Sequence, residues 1–480
     1  MVRFLVQFGL CSALWCVFLL GNLCAQQIAP QTSSPAESPT LQQIQWRLQA
    51  QQREITQLRE ELHRSIAAPP LPTPNNQQEV QGRATLNGSL RSSPSPLENP
   101  IIAQLSEDQF TQVGSSQSTG LNLNTYTSLF DEGIVIESDD VALKIGGYVK
   151  VDFIKDFNPI ADEFAFNTRT IEVNARDREN SNVHARQSRL NFDTRWNTEA
   201  GPVRAFIEAD FFGAGNAFRL RHAYGEVQSL IVGQTWSTFA NVRALPPTLD
   251  NEGSASVISR RQGQIRWTEE LLVQELTFSL AIEDPQLALT ESFAALDVRG
   301  LNESPDLVTR FKYSDDDTSF MLAAVVRQLG AITPSGSKIE QAAWGTNFSM
   351  SHRVTSKDEG YMQIVVGEGI GSYKGIADVV TDGISRAGLL PALGWMVGWN
   401  HRWTEQLQSN LTYSENVLDN PGYQPGDELH RNTYFATNVI WAPAQNFFTG
   451  IEYLYGIREN VNGDDAEAHR LQTSFGFYLP

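Results

Sequence analysis

The chain is 480 residues long, 41% hydrophobic and 10% aromatic, with a formal net charge of −19. It can bury a sizeable core, and its acidic balance repels phosphate backbones, which argues against nucleic acid as a general partner. All three cysteines, Cys11, Cys16 and Cys24, fall in the first 25 residues, so a processed chain would carry no thiol for a disulfide scaffold or a thiolate metal site.

Residues 1–25, MVRFLVQFGLCSALWCVFLLGNLCA, set Arg3 before an apolar run from Leu10 to Leu20, followed by small or polar residues and Ala25. That is the layout of a cleaved secretory signal peptide. A membrane anchor is the alternative, but the run is short for a span and no charge cluster stops it. A lipoprotein site at Cys24 lacks the usual small residues before it. Residues 26–40 read as polar linker. Over 41–66, Leu41, Leu48, Ile55 and Leu62 recur every seven residues, with Ile44, Gln51, Leu58 and Ser65 at the second heptad position. This 3-4 spacing predicts a short coiled-coil helix and hence an oligomer. So few heptads are marginal for an isolated helix, which leaves a partly ordered Gln-rich segment as the alternative. Residues 67–140, rich in Pro, Ser, Asn and Gln, read as a second linker.

From residue 141 to 480 the pattern changes to alternating segments of about ten residues, roughly sixteen in all, divided by Gly-, Asp-, Asn- and Pro-rich stretches. In ARQSRLNFDTRWNT (185–198), Gln187, Arg189, Asn191, Asp193 and Arg195 alternate with Ser188, Leu190, Phe192, Thr194 and Trp196. Elsewhere Val149, Val151 and Phe153 oppose Lys150 and Asp152, and Leu471, Phe475 and Phe477 oppose Arg470, Gln472 and Ser474. Aromatics such as Trp196, Trp267, Trp395, Trp403 and Trp441 fall near the ends of apolar faces, as interfacial girdles do. After the leader no window is apolar for the eighteen or so residues that a helical span needs. Two soluble β-sandwich domains would leave a linker in the middle of 141–480, and none is present. The expected fold class is therefore all-β, a transmembrane antiparallel β-barrel of about sixteen strands, preceded by the short coiled coil. Leu190, Phe192 and Trp196 are expected to face lipid, and the polar set a water-filled lumen.

The segments IGGYVKVDFI, ARQSRLNFDTRW, FIEADFFG and FRLRHAYGEV…LIVGQTWSTF resemble the DcaP-like outer-membrane porins, most densely over residues 143–267. The resemblance implies a trimeric sixteen-stranded barrel with an N-terminal periplasmic coiled coil. One departure is the C-terminus, Phe477-Tyr478-Leu479-Pro480, where outer-membrane chains commonly end in an aromatic residue.

Between Arg186 and Arg266 there are ten arginines, no lysine and seven acidic residues, a net positive stretch in a negative chain. Arg189, Arg195, Arg204, Arg219, Arg221, Arg260 and Arg266 fall on the polar side of their segments. Guanidinium groups keep their charge and present a fork of donors suited to carboxylates and phosphates. Glu208 and Asp210, with Asp193, are the acids placed to face them, and for each arginine the alternative is a brace against those acids. Residues 237–256, STFANVRALPPTLDNEGSAS, are too long for a turn; the resemblance makes them an inward loop carrying Arg243, Asp250 and Glu252 into a constriction, against the alternative of an ordinary external loop.

The reading is a porin for passive diffusion of small hydrophilic, carboxylate-type anions, working as a homotrimer in the outer-membrane bilayer with its coiled coil in the periplasm. No cofactor, metal or nucleic acid is implied. The scattered histidines form no HExxH and the chain holds no GxSxG, so a barrel hydrolase finds no nucleophile or base. A structural, wall-anchoring barrel is the remaining alternative, and it needs no arginine-rich lumen.

Overall fold

The computed structural model describes residues 133–479 apart from 139, 290–297, 383 and 445. The signal peptide, the first linker, the coiled coil and the second linker up to 132 lie outside the described residues.

Among the described residues, Val379–Thr381 and Ala387–Leu389 form a separate two-stranded ladder, and one antiparallel sheet has 19 strands. Sixteen of these form the wall: β1 (Val141–Asp156), β2 (Arg189–Thr198), β3 (Gly201–Asp210), β4 (Arg219–Val227), β5 (Leu230–Trp236), β6 (Arg261–Glu270), β7 (Leu276–Glu283) and β8 (Asp306–Ser314) in the first half. The second half comprises β9 (Thr318–Ile332), β10 (Lys338–Arg353), β11 (Asp358–Glu368), β12 (Pro391–Arg402), β13 (Leu407–Leu418), β14 (Leu429–Ala444), β15 (Phe447–Asn460) and β16 (Asp465–Tyr478). The last strand closes on the first, from Tyr148 opposite Tyr478 to Asp156 opposite Arg470. Closure leaves the wall with no free edge, the condition for crossing a bilayer with strands.

The three remaining strands patch the rims. Asn180–His184 pairs with the far half of β1, and Arg299–Leu301 pairs with the end of β9. Ile134–Glu137, inside the stretch read from sequence as linker, pairs with Ala142–Ile145 of β1 and continues the line of β16 below its end. Four residues, IVIE, are too few to show a period, which is why the sequence hid this strand.

Connections at the end that holds the chain's C-terminus are all tight, none longer than five residues, whereas the opposite end carries the excursions 157–188, 237–260, 284–305 and 369–390. Short turns at one rim and long loops at the other are the usual layout of an outer-membrane-type barrel. The two faces divide as the alternation predicts. Val149, Phe153, Phe192, Ile207, Ile265 and Leu411 are exposed outward, while Gln187, Arg189, Asn191, Asp193 and Arg195 are buried inward. The lumen is filled in its middle by three of the long connections, and the apolar clusters lie where these dock on the wall: Phe239, Ile258 and Tyr373 pack with Val308, Met321 and Val325.

Candidate functional site: a loop-lined constriction

Strand β5 stops after seven residues at Trp236, and the chain turns inward instead of leaving the barrel. Residues 237–260 then cross the lumen, held by wall side chains from successive strands. The Glu283 carboxylate of β7 accepts from Ser237 Oγ and Thr238 N, both at 2.6 Å. Asn347 Nδ2 of β10 donates to Phe239 O at 2.6 Å, and Asn438 Nδ2 of β14 to Pro247 O at 2.7 Å. At the far side Lys150 Nζ of β1 donates to Leu249 O at 2.7 Å, and Glu452 of β15 accepts from the Leu249 and Asp250 amides. An irregular segment at membrane depth must have its backbone groups met by protein, and these polar inward faces meet them.

A second inward segment, 369–390, starts with the short helix Gly371–Lys374. Its anchor is Arg327 of β9, whose Nη1 donates to Gly369 O at 2.7 Å and Asp378 Oδ1 at 2.9 Å, while Nε lies 2.9 Å from Asp306 Oδ2. Tyr373 adds a hydrogen bond to Asp306 at 2.8 Å and an edge contact with Phe239 at 5.3 Å, so the two inward segments are packed on each other. Lys374 is buried, its ammonium has no hydrogen-bond partner among the described residues, and burial pushes it down to about 7.

Between these segments and the wall lies a cavity of about 330 Å³. Arg189, Arg219, Arg221 and Arg261 line its wall side, and Asp250 and Glu252 face them from the loop. Asp250 accepts from the Phe166 amide at 2.8 Å and from Glu252 N and Gly253 N, both at 3.1 Å; burial nevertheless pushes its carboxyl up to about 6. The wall arginines differ in how far they are spoken for. Arg219 grips Asp210 through Nε at 2.9 Å and Nη2 at 2.6 Å, and Arg221 binds Glu208 at 2.6 Å and Asp210 at 3.1 Å. Arg189 stands 3.9 Å from Glu208, over the Tyr148 ring at 5.4 Å, and its Nε and Nη1 have no hydrogen-bond partner among the described residues. Arg261 stacks on Trp236 at 4.4 Å.

The other candidates stand elsewhere. Arg195 and Arg204 are directly opposite in the β2–β3 register, and both clamp Asp193 through paired bonds of 2.7–3.1 Å, bracing the wall. Arg260 is at the cavity rim, bonded to Gln286. Arg266 is buried with Nη1 3.5 Å from Trp236 O. Arg243 departs from the expectation that it projects into the constriction: it donates to Ser314 Oγ at 2.7 Å and Asp316 O at 3.0 Å, at a tight turn of the wall. The reason is local, since the single turn Val242–Ala244 aims it away from the side on which Asp250 and Glu252 line the cavity. Sequence reasoning missed Arg169, Arg261 and Lys374, because alternation loses its meaning in loops and at strand starts.

One irregularity shapes the arginine wall. Glu208 pairs with His222 and Ala209 with Leu220, leaving Arg221 as an extra residue in β4. This bulge turns consecutive residues Arg221 and His222 both inward and buried. His222 is occupied by Thr235 Oγ1 at 3.0 Å and by the edge of Trp236.

The sequence matches the family model described as DcaP outer membrane protein over residues 101–477. Among solved structures it is similar to the outer membrane channel DcaP of Acinetobacter baumannii, with a TM-score of 0.65 at 17% identity, covering 72% of this chain and 100% of that one. OmpT of Vibrio cholerae aligns at a TM-score of 0.44 and 11% identity, covering 72% of this chain and 99% of that one. An anion-selective porin from Comamonas acidovorans aligns at 0.47 and 8%, covering 71% and 100%. A search among curated protein sequences finds no match.

Proposed function

The chain belongs to the DcaP outer membrane protein family, and from that premise we propose that it is a passive diffusion porin biased towards small hydrophilic anions of the carboxylate type. The outer-membrane barrel of porin type is the part that needs no proposal. The bias rests on one observation: four guanidinium groups line one side of the cavity against two carboxylates behind them, and one of the four, Arg189, makes only a loose 3.9 Å ion pair with Glu208. A fixed cationic wall in a narrow, loop-lined passage raises the local concentration of anions and lowers that of cations. Pairing of Arg219 and Arg221 with acids limits the effect without cancelling it. The protein carries out no chemistry in this reading, and the solute leaves as it entered. The DcaP-like resemblance and the heptads at 41–66 support a homotrimer, joined through the coiled coil and the barrel wall.

The test is the full chain in a planar bilayer separating two KCl concentrations. Insertions should show stepwise conductance, three equal steps each for a trimer, and a reversal potential displaced in the direction of chloride. A cation-biased potential would overturn the selectivity, and single steps would overturn the trimer.

A further inference from the structure

Three inward segments meet at one side chain that none of the arguments above has used. Arg169 sits in the excursion 157–188, on the single helical turn Thr168–Thr170. Its base is fixed to the wall, since Asn432 Nδ2 of β14 donates to Thr168 Oγ1 at 2.8 Å and Arg458 Nη1 of β15 donates to Arg169 O at 2.7 Å. Its guanidinium then reaches across the lumen to two other segments. Nη1 donates to Lys374 O at 2.8 Å, and Nη2 donates to Glu252 Oε1 at 2.7 Å. The planar head lies against Gly375, where an added Cβ would come 2.7 Å from Nη2 and 2.9 Å from Cζ. Gly375 has φ of +72°, so the left-handed turn that ends the short helix also opens the seat for the guanidinium.

We propose that Arg169 is a positioning residue that fixes the bore of the constriction by tying all three inward segments together, and that it sets the size limit for permeating solutes. The inference rests on the porin reading and adds the element that determines size. Both Nη groups of Arg169 are committed to protein acceptors, and its charge is matched by Glu252, so the pair contributes position more than field. The other anchors of the same segments, Arg327 to Asp306 and Asp378 on one and Glu452 on the other, stand on different strands. Losing the tie therefore frees the segments only where they face each other across the cavity, and leaves them docked at their roots.

The experiment uses uncharged solutes, which sense bore and not field. Full-length protein is reconstituted into liposomes, and swelling rates are measured for a neutral monosaccharide and a neutral trisaccharide. Arg169→Gln and Glu252→Gln change the charge of the passage in opposite senses but cut the same tie. Gly375→Ala changes no charge; it crowds the guanidinium off its seat and strains the left-handed turn that forms the seat, so it cuts the tie from the other side. All three should raise the trisaccharide-to-monosaccharide ratio, by at least about twofold, because permeation through a narrow pore is steep in diameter. Arg169→Gln combined with Glu252→Gln should do no more than either alone. Where Arg169→Gln fails to assemble, Gly375→Ala carries the comparison. Unchanged ratios in all three would overturn the proposal, and so would opposite shifts in the two charge variants, which would mark a field effect. Wild-type vesicles that do not swell even with the monosaccharide would overturn the porin reading, and this inference with it.

Discussion

Arg189→Gln should weaken anion preference while leaving the barrel intact. Its guanidinium lines the cavity and stands 3.9 Å from Glu208, so its removal strands no tightly bound acid. A unit charge 4 Å from a passing anion is worth about 1 kcal/mol at the dielectric of bulk water and about 4 kcal/mol at an effective value near 20. With a Debye length of about 8 Å in physiological salt, the lower figure falls to about 0.6 kcal/mol, roughly threefold in local anion concentration. Cations change by a similar factor in the opposite sense, so the reversal potential in a KCl gradient registers both. The shift should be clear in dilute salt and shrink in concentrated salt, where screening shortens. Arg219→Gln with Arg221→Gln is the contrasting case. It leaves buried Glu208 and Asp210 without their 2.6 Å partners, a loss of about 3–5 kcal/mol that should appear as a lower unfolding temperature of the heat-modifiable barrel. A wild-type reversal potential for Arg189→Gln in dilute salt would refute the claim that this loosely paired guanidinium carries the bias.

Arg327→Met should leave Asp306 and Asp378 buried without their cation, costing about 3–5 kcal/mol and loosening segment 369–390; added open-channel noise and a lower thermal transition are the readouts. Burial pushes the Asp250 carboxyl up to about 6 and it lines the cavity, so lowering the pH from 7 to 5 neutralises a carboxylate facing the arginines. Anion preference should therefore rise as the pH falls through that range, and Asp250→Asn should shrink the rise to the part that comes from the Lys374 ammonium, which burial holds down to about 7 on the same cavity.

Much of the wall was legible because period two reports side, and side alone decides lipid or lumen. Phe192 outward and Arg195 inward follow from that, as does the closing strand with Phe477 outward and Arg470 inward. What alternation does not encode is the neighbour across the ladder. Alternation puts Arg195 and Arg204 both on the polar side, but only register brings them to share Asp193. The bulge at Arg221 is invisible for the same reason, since an extra residue is defined by its partner strand. Loops carry no period at all, so Arg169 and Lys374 gave no signal and Arg243 gave a misleading one. The length of 237–256 shows a loop and only the resemblance turns it inward, whereas its anchors, Glu283, Asn438 and Glu452, are single polar residues scattered over half the chain.

The pairing of β1 with β16 also sets an order of events. Asp156 and Arg470, joined at 2.6 Å, are 314 residues apart in sequence. The first strand to be made must wait, unsatisfied along that flank, until the last one arrives, and contacts of such separation form slowly. Only a chain translated and delivered to its end can seal itself. One that stops short keeps two open flanks in a medium with no water to satisfy them, and is left to other strands or to proteolysis. The seam thus makes closure of the wall conditional on its last strand.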